Sequence, residues 1–242
     1  MANIQINIVE NGTTTLATNG CICDRNIDIN VDVPTTGGSE DCNGLHIPDE
    51  ALTISGDCSY KFQKGGWDWF IETCGDNITT SSITNTQKMF AGSKLSEIPF
   101  DINVANNNSG CCCSSMFEGG NIIKPPYIKG KIVQVEKMFN DCALLTNIPD
   151  DWADYIDWSG VHENSSHSMT NMFNGCSSLR KIPDNLLSNL WNATTGYYYA
   201  FYYGGFAECY VMDELKNIPV LTGTLTTNTF NGSFSDCSRL KS

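Results

Sequence analysis

Basic residues are scarce in this chain. Its 14 Lys and Arg stand against 27 Asp and Glu, a formal net charge of −13 over 242 residues. That balance argues against nucleic-acid binding, which needs a basic footprint on the phosphates. Long apolar runs are missing too. None approaches the roughly 20 residues of a membrane-spanning helix, so no membrane insertion is expected. Histidine is rarer still: His46, His162 and His167 are the whole set. His162-Glu163 and His167 make a poor zinc spacing, no H-E-x-x-H occurs, and a solvated polar loop is the plainer reading. There is also no G-x-x-x-x-G-K-[ST], G-x-G-x-x-G or G-x-S-x-G in a suitable context. No catalytic residue, cofactor or metal site is therefore expected.

The N-terminus, Met1-Ala2-Asn3-Ile4-Gln5, has neither a basic stretch nor an apolar one behind it. No secretory signal is read there, and the protein is expected to be made and folded in the cytoplasm. Cysteine, by contrast, is abundant, with twelve residues. In a cytoplasmic protein these are expected to be thiols. Cys21 and Cys23 are split by one residue and Cys111-Cys112-Cys113 are contiguous. Neither is the C-x₂₋₄-C pair of a structural zinc site.

What the chain does have is a repeated phrase. Met172-Phe173-Asn174-Gly175-Cys176-Ser177-Ser178-Leu179-Arg180-Lys181-Ile182-Pro183 is its clearest copy, and Met138 to Pro149 nearly superimposes on it. Met89 to Pro99 is one residue shorter, and Met116 to Pro126 is looser. Phe206 to Pro219 is looser still, with Cys209, Leu215 and Ile218 in order, and Phe234-Ser235-Asp236-Cys237-Ser238-Arg239-Leu240 opens a sixth copy. Repetition at this period predicts a solenoid, in which each unit buries its apolar face against its neighbours. The expected repeat core is Phe90, Phe117, Phe139, Cys142, Phe173, Cys176, Leu179 and Ile182. Cys142, Cys176, Cys209 and Cys237 fall once per unit and should stack as small buried hydrophobes.

The repeat phenylalanines step by 27, 22, 34, 33 and 28 residues, yet the span from Met to Pro hardly changes. A packed core tolerates no length change, whereas a surface loop does. The insertions at 100–115, 150–171 and 184–204 are thus expected to leave from one corner and line one edge. Leu and Ile followed by Pro suggest a short strand ending where proline removes a donor. Polar residues before Met-Phe suggest a capped helical turn closing at Gly92 or Gly175.

The phrase resembles the BspA-like leucine-rich repeat over about residues 83–242. That resemblance implies a mixed α/β, leucine-rich-repeat-like solenoid of short strands and helical turns. It also implies adhesion or partner binding, and it brings no catalytic residues.

Residues 1–34 read as a small β module. Ile4, Ile6 and Ile8 alternate with polar residues before Asn11-Gly12, and Ile27, Ile29, Val31 and Val33 alternate before Pro34. The wording Glu10 to Leu16 and Cys23 to Val31 resembles a module of tailed-phage structural proteins, for virion docking or assembly; an ordinary β-hairpin of any origin is the plain alternative. Residues 35–49 are linker-like in composition. Residues 50–83, with Gly65-Gly66-Trp67-Asp68-Trp69-Phe70, read as a cap over the solenoid core or as an exposed aromatic surface.

Two stretches invite a site. Asp150, Asp151, Asp154 and Asp157 lie among Trp152, Tyr155 and Trp158. Carboxylates with aromatics occur in glycosidases, but acids at the start of a capped helix explain them better. Trp191, Tyr197, Tyr198, Tyr199, Tyr202 and Tyr203 are candidate partner-binding residues, since tyrosine suits recognition surfaces; packing between protomers is the other reading. The whole points to a non-enzymatic structural or adhesive protein of a tailed phage virion, such as a fibre, tail or capsid decoration component. Its partners would be other virion proteins or further copies of itself, and a host surface protein or glycan. A bacterial surface adhesin fragment is the alternative, and a glycan-processing enzyme trails both.

Overall fold

The computed structural model describes residues 39–40, 46–47, 52–105, 109–161, 170–189, 206–209, 211–212 and 232–240. The chain divides into two compact units, 1–51 and 52–242. In the first, β1 (Ser39–Glu40) pairs antiparallel with β2 (His46–Ile47). This pairing falls within the stretch read as linker. The alternating segments before residue 35 lie outside the described residues.

The second unit is mixed α/β, with a mostly parallel sheet and few helices. Its strands are β3 (Leu52–Asp57), β4 (Ile78–Asn85), β5 (Ile102–Asn103), β6 (Cys111–Cys112), β7 (Ile128–Gln134) and β8 (Ile156–Asp157). They run in the order β3-β4-β6-β7-β5, with β8 also on β7, and every pairing is parallel. The one α-helix longer than a single turn, among the described residues, is α1 (Asp68–Cys74). Parallel strands need a crossover between them, and here the crossover is the repeated phrase.

Each copy of the phrase folds as a run of tight turns rather than a helical one. Met89 N–H donates to Thr86 O, Ala91 N–H to Lys88 O and Ser93 N–H to Phe90 O, and no continuous helix forms. The residues two before and two after the repeat phenylalanine take positive φ. Lys88 (54°) and Gly92 (69°), Lys137 (54°) and Asp141 (58°), and Asn171 (56°) and Gly175 (75°) show the pattern. Glycine or Asn/Asp fills many of these places because the left-handed region costs other residues about 1–2 kcal/mol. Gly92 and Gly175 therefore serve a turn, not a helix end.

Alternate amides of one copy donate to the next, so the copies lie in parallel register. Phe90 N–H donates to Met116 O, Phe117 N–H to Met138 O and Phe139 N–H to Met172 O, at 2.8–2.9 Å. That ladder stacks the rings. Phe62, Phe90, Phe117, Phe139, Phe173, Phe206 and Phe234 succeed one another with centroids 5.3–5.7 Å apart, and their planes lie within 19° of parallel. Phe90, Phe117, Phe139, Cys142, Phe173, Cys176, Leu179 and Ile182 are all buried.

Phe62 has no counterpart in the sequence reading, which gave residues 50–83 to a cap or an exposed aromatic surface. Tyr60 and Lys64 take positive φ on either side of it, and Phe62 N–H donates to Met89 O at 2.8 Å. A further copy thus sits at 58–65, disguised because Lys61 replaces the methionine and Gly65 the cysteine. After it, α1 buries Phe70, Ile71 and Cys74. The buried Asp68 carboxylate accepts from Ser93 Oγ and Lys94 N–H, both at 2.7 Å, tying the helix to the next copy. In the copy at Phe206, Met212 takes the buried place expected for Leu215, with its N–H on Cys209 O just as Leu179 N–H bonds Cys176 O. Leu215 and Ile218 lie outside the described residues.

Candidate binding edge

The edge begins where each phrase ends in proline. Pro149 O accepts the N–H of Trp152, and Pro183 O accepts that of Leu186, so the chain turns at once. Trp152 and Leu186 plug the interior, as Phe100 does after Pro99. Residues between the proline and the plug are left outside: Asp150 and Asp151 in one copy, Asp184 and the half-buried Asn185 in the next. Segments read as insertions then rejoin the sheet. Ile102 of β5 pairs with Ile128, Cys111 of β6 with Ile132, and Ile156 of β8 with Gly130. They are strands in part because Ile102, Cys111 and Ile156 each bury an apolar side chain beneath the sheet.

Side chains from successive copies meet along this corner. Lys129 Nζ lies 2.5 Å from the Asp101 carboxylate and 5.5 Å from the centre of the Tyr155 ring. Tyr127 and Tyr155 pack edge to face, 5.0 Å between centroids. Both phenols donate to Asp151, from Tyr127 at 2.8 Å and from Tyr155 at 3.4 Å. That carboxylate holds the Tyr127 phenol above its ordinary pKa, because the hydrogen bond favours the protonated form. Asn185 donates to Asp154, and Lys181 reaches Asp150 at 2.7 Å.

The acidic-aromatic stretch is thereby divided in role. Trp152 and Trp158 are core, their indole N–H groups satisfied by Pro126 O and Ala153 O. Asp151 does not cap the short 3-10 turn Trp152–Tyr155, contrary to the helix-capping expectation; its oxygens serve the two tyrosines instead. Asp157 does cap, accepting from Ser159 N–H, and its pKa is held down mainly by Ser159. A general acid needs the opposite shift. Trp191, Tyr197, Tyr198, Tyr199, Tyr202 and Tyr203 lie outside the described residues, as do His162 and His167.

Two groups of thiols stand out among the described residues. Cys142, Cys176, Cys209 and Cys237 donate in turn to Phe117 O, Phe139 O, Phe173 O and Phe206 O, at 2.9–3.2 Å. Burial pushes the Cys142 and Cys209 pKa values up to about 12. Such thiols are poor nucleophiles. In the other group Thr86 Oγ1 touches Cys113 Sγ at 3.2 Å and Cys111 Sγ at 3.8 Å. The Cys113 hydrogen bond lowers the Cys111 pKa and raises that of Cys113, yet both side chains are fully buried. Among the described residues no group of three or more His, Cys, Asp or Glu is arranged to hold a metal ion. No described helix is long and apolar enough to cross a membrane.

Comparison with protein-family models, with curated proteins and with solved structures gives no match. The residues of the edge therefore carry the functional argument by themselves.

Proposed function

We propose that residues 52–242 build a leucine-rich-repeat-like solenoid, and that the protein is a non-enzymatic structural or adhesive component of a tailed phage virion. It would bind a protein or host surface through the edge that follows the prolines. One observation carries this reading: Asp101, Tyr127, Lys129, Asp151 and Tyr155 come from three successive copies and converge on one exposed corner. A surface repeated along stacked units suits an extended partner better than a single small substrate. Engagement of Asp150, Asp151, Asp154 and Asp157 by structural neighbours supports a binding role over glycan hydrolysis. The virion placement leans on the wording of residues 10–31.

Two measurements test it. Gold-labelled antibody to this chain, applied to purified virions and viewed in negative stain, should decorate the particles. Bare particles from a lysate that contains the chain would remove the virion assignment. The double variant Tyr127→Ala with Tyr155→Ala should lose attachment to its target surface while melting like wild type. Undiminished attachment would remove the edge.

A further inference from the structure

Tyr155 is 44% exposed. Its hydroxyl reaches Asp151 at 3.4 Å, and its ring is flanked by Tyr127 on one side and Lys129 on another. Tyr127 is half-buried and fixed to the same carboxylate at 2.8 Å. Two aromatic rings at 70° to each other thus make an open corner, framed by the Asp151 and Asp101 carboxylates and the Lys129 ammonium. Tyrosines give large contact area at little entropic cost.

The chemistry around the rings narrows what they can hold. An apolar peptide side chain laid on Tyr155 would strip water from Asp151 and Lys129 without replacing it, which is unfavourable. An anionic group would meet Asp101 and Asp151, and a cationic group would compete with the Lys129 ammonium that already lies over the Tyr155 ring. A neutral ligand with a flat C–H face and a rim of hydroxyls conflicts with none of them. Its C–H face covers the ring, while its hydroxyls donate to the carboxylates and accept from the ammonium. We propose that the corner formed by Tyr127, Tyr155, Asp151 and Lys129 binds a neutral saccharide unit of a surface glycan. The inference rests on the edge reading above and names the partner for it.

The test uses the full chain. A panel of immobilised neutral and acidic oligosaccharides is screened first, and the best neutral one is titrated calorimetrically. Tyr155→Ala should weaken that binding at least tenfold, and Asp151→Asn, which keeps the shape, should weaken it as well. Trp69→Ala, an exposed aromatic on α1, should leave it unchanged. The proposal fails when no neutral saccharide binds, or when acidic ones bind as well as neutral ones. It also fails when Tyr155→Ala and Asp151→Asn bind like wild type. Loss of attachment to a protein target in Tyr155→Ala, with no saccharide bound by wild type, would overturn the saccharide while leaving the edge in place.

Discussion

The thiol of Cys176 donates to the carbonyl oxygen of Phe139 at 3.1 Å, and the same oxygen accepts the backbone N–H of Cys142 at 3.0 Å. One atom thus closes its own turn and locks the next copy onto it. The arrangement recurs at Phe173 and Phe206, where the carbonyl accepts from the cysteine N–H of its own copy and the thiol of the next.

Cys176→Ala removes that thiol and leaves a small void in a fully buried place. A cost of about 1–3 kcal/mol is expected from the lost hydrogen bond and packing together. Ser177→Ala, beside it and half-buried, should stay within about 0.5 kcal/mol of wild type. Urea unfolding of both variants checks the contrast, and equal midpoints would contradict the ladder.

The buried thiols also set a pH limit. Burial raises Cys142 and Cys209 from an ordinary 9.0 to about 12 and Cys58 to about 11. The folded chain therefore keeps protons that the unfolded chain gives up. This contribution is complete below pH 9.0 and fades as pH rises from there towards about 12. Each thiol removes at most about 1.4 kcal/mol per pH unit in that window. Stability should be level from about pH 7 to 8.5 and then fall steeply; a flat profile to about pH 11 would place the thiols in water.

The ring stack makes a positional prediction. Phe139 lies between Phe117 and Phe173 and is wholly buried, whereas Phe234, among the described residues, stacks on Phe206 alone and is 37% exposed. Phe139→Ala should cost about 3–5 kcal/mol. Phe234→Ala should cost less than half of that. Phe62→Ala should behave like the interior rings, since Phe62 is buried against Phe90.

Gly175 takes φ +75°, and an added Cβ would run into the Asp141 carboxylate and lie 3.2 Å from Asp141 Cα. Gly175→Ala should therefore cost more than the about 1–2 kcal/mol of the left-handed backbone alone. Adding Asp141→Gly should restore part of the loss, because it clears the carboxylate but not the φ. Strict additivity of the two changes in thermal melts would mean that the residues do not meet.

Much of this was legible in the sequence because the phrase keeps its residue types where neighbours constrain them. Phe173, Cys176, Leu179 and Ile182 are core positions in every clear copy, and their spacing alone marks them. Phe62 was not legible: Lys61 and Gly65 stand where Met and Cys would have identified it, while its backbone angles and ring contact keep the pattern. Met212 was missed for a similar reason, since Leu215 matched by type but not by distance from Cys209. Of the Tyr127–Asp151–Tyr155 corner, Asp151 and Tyr155 stood in the acidic-aromatic stretch, but nothing in the sequence tied Tyr127 to them. The corner's members are 24 and 4 residues apart, and only the parallel register brings them together. The weak clue was position: each lies a few residues beyond a proline that closes a phrase.

The central claim is that successive copies stack ring upon ring. Selectively labelled phenylalanine in an otherwise deuterated chain tests it through proton–proton cross-relaxation. Phe139 should show ring contacts to both Phe117 and Phe173, with centroids 5.3 and 5.4 Å away, and Phe117 should show none to Phe173. Contacts between Phe117 and Phe173, or no contact from Phe139 to either, would contradict the stacked order and the edge built upon it.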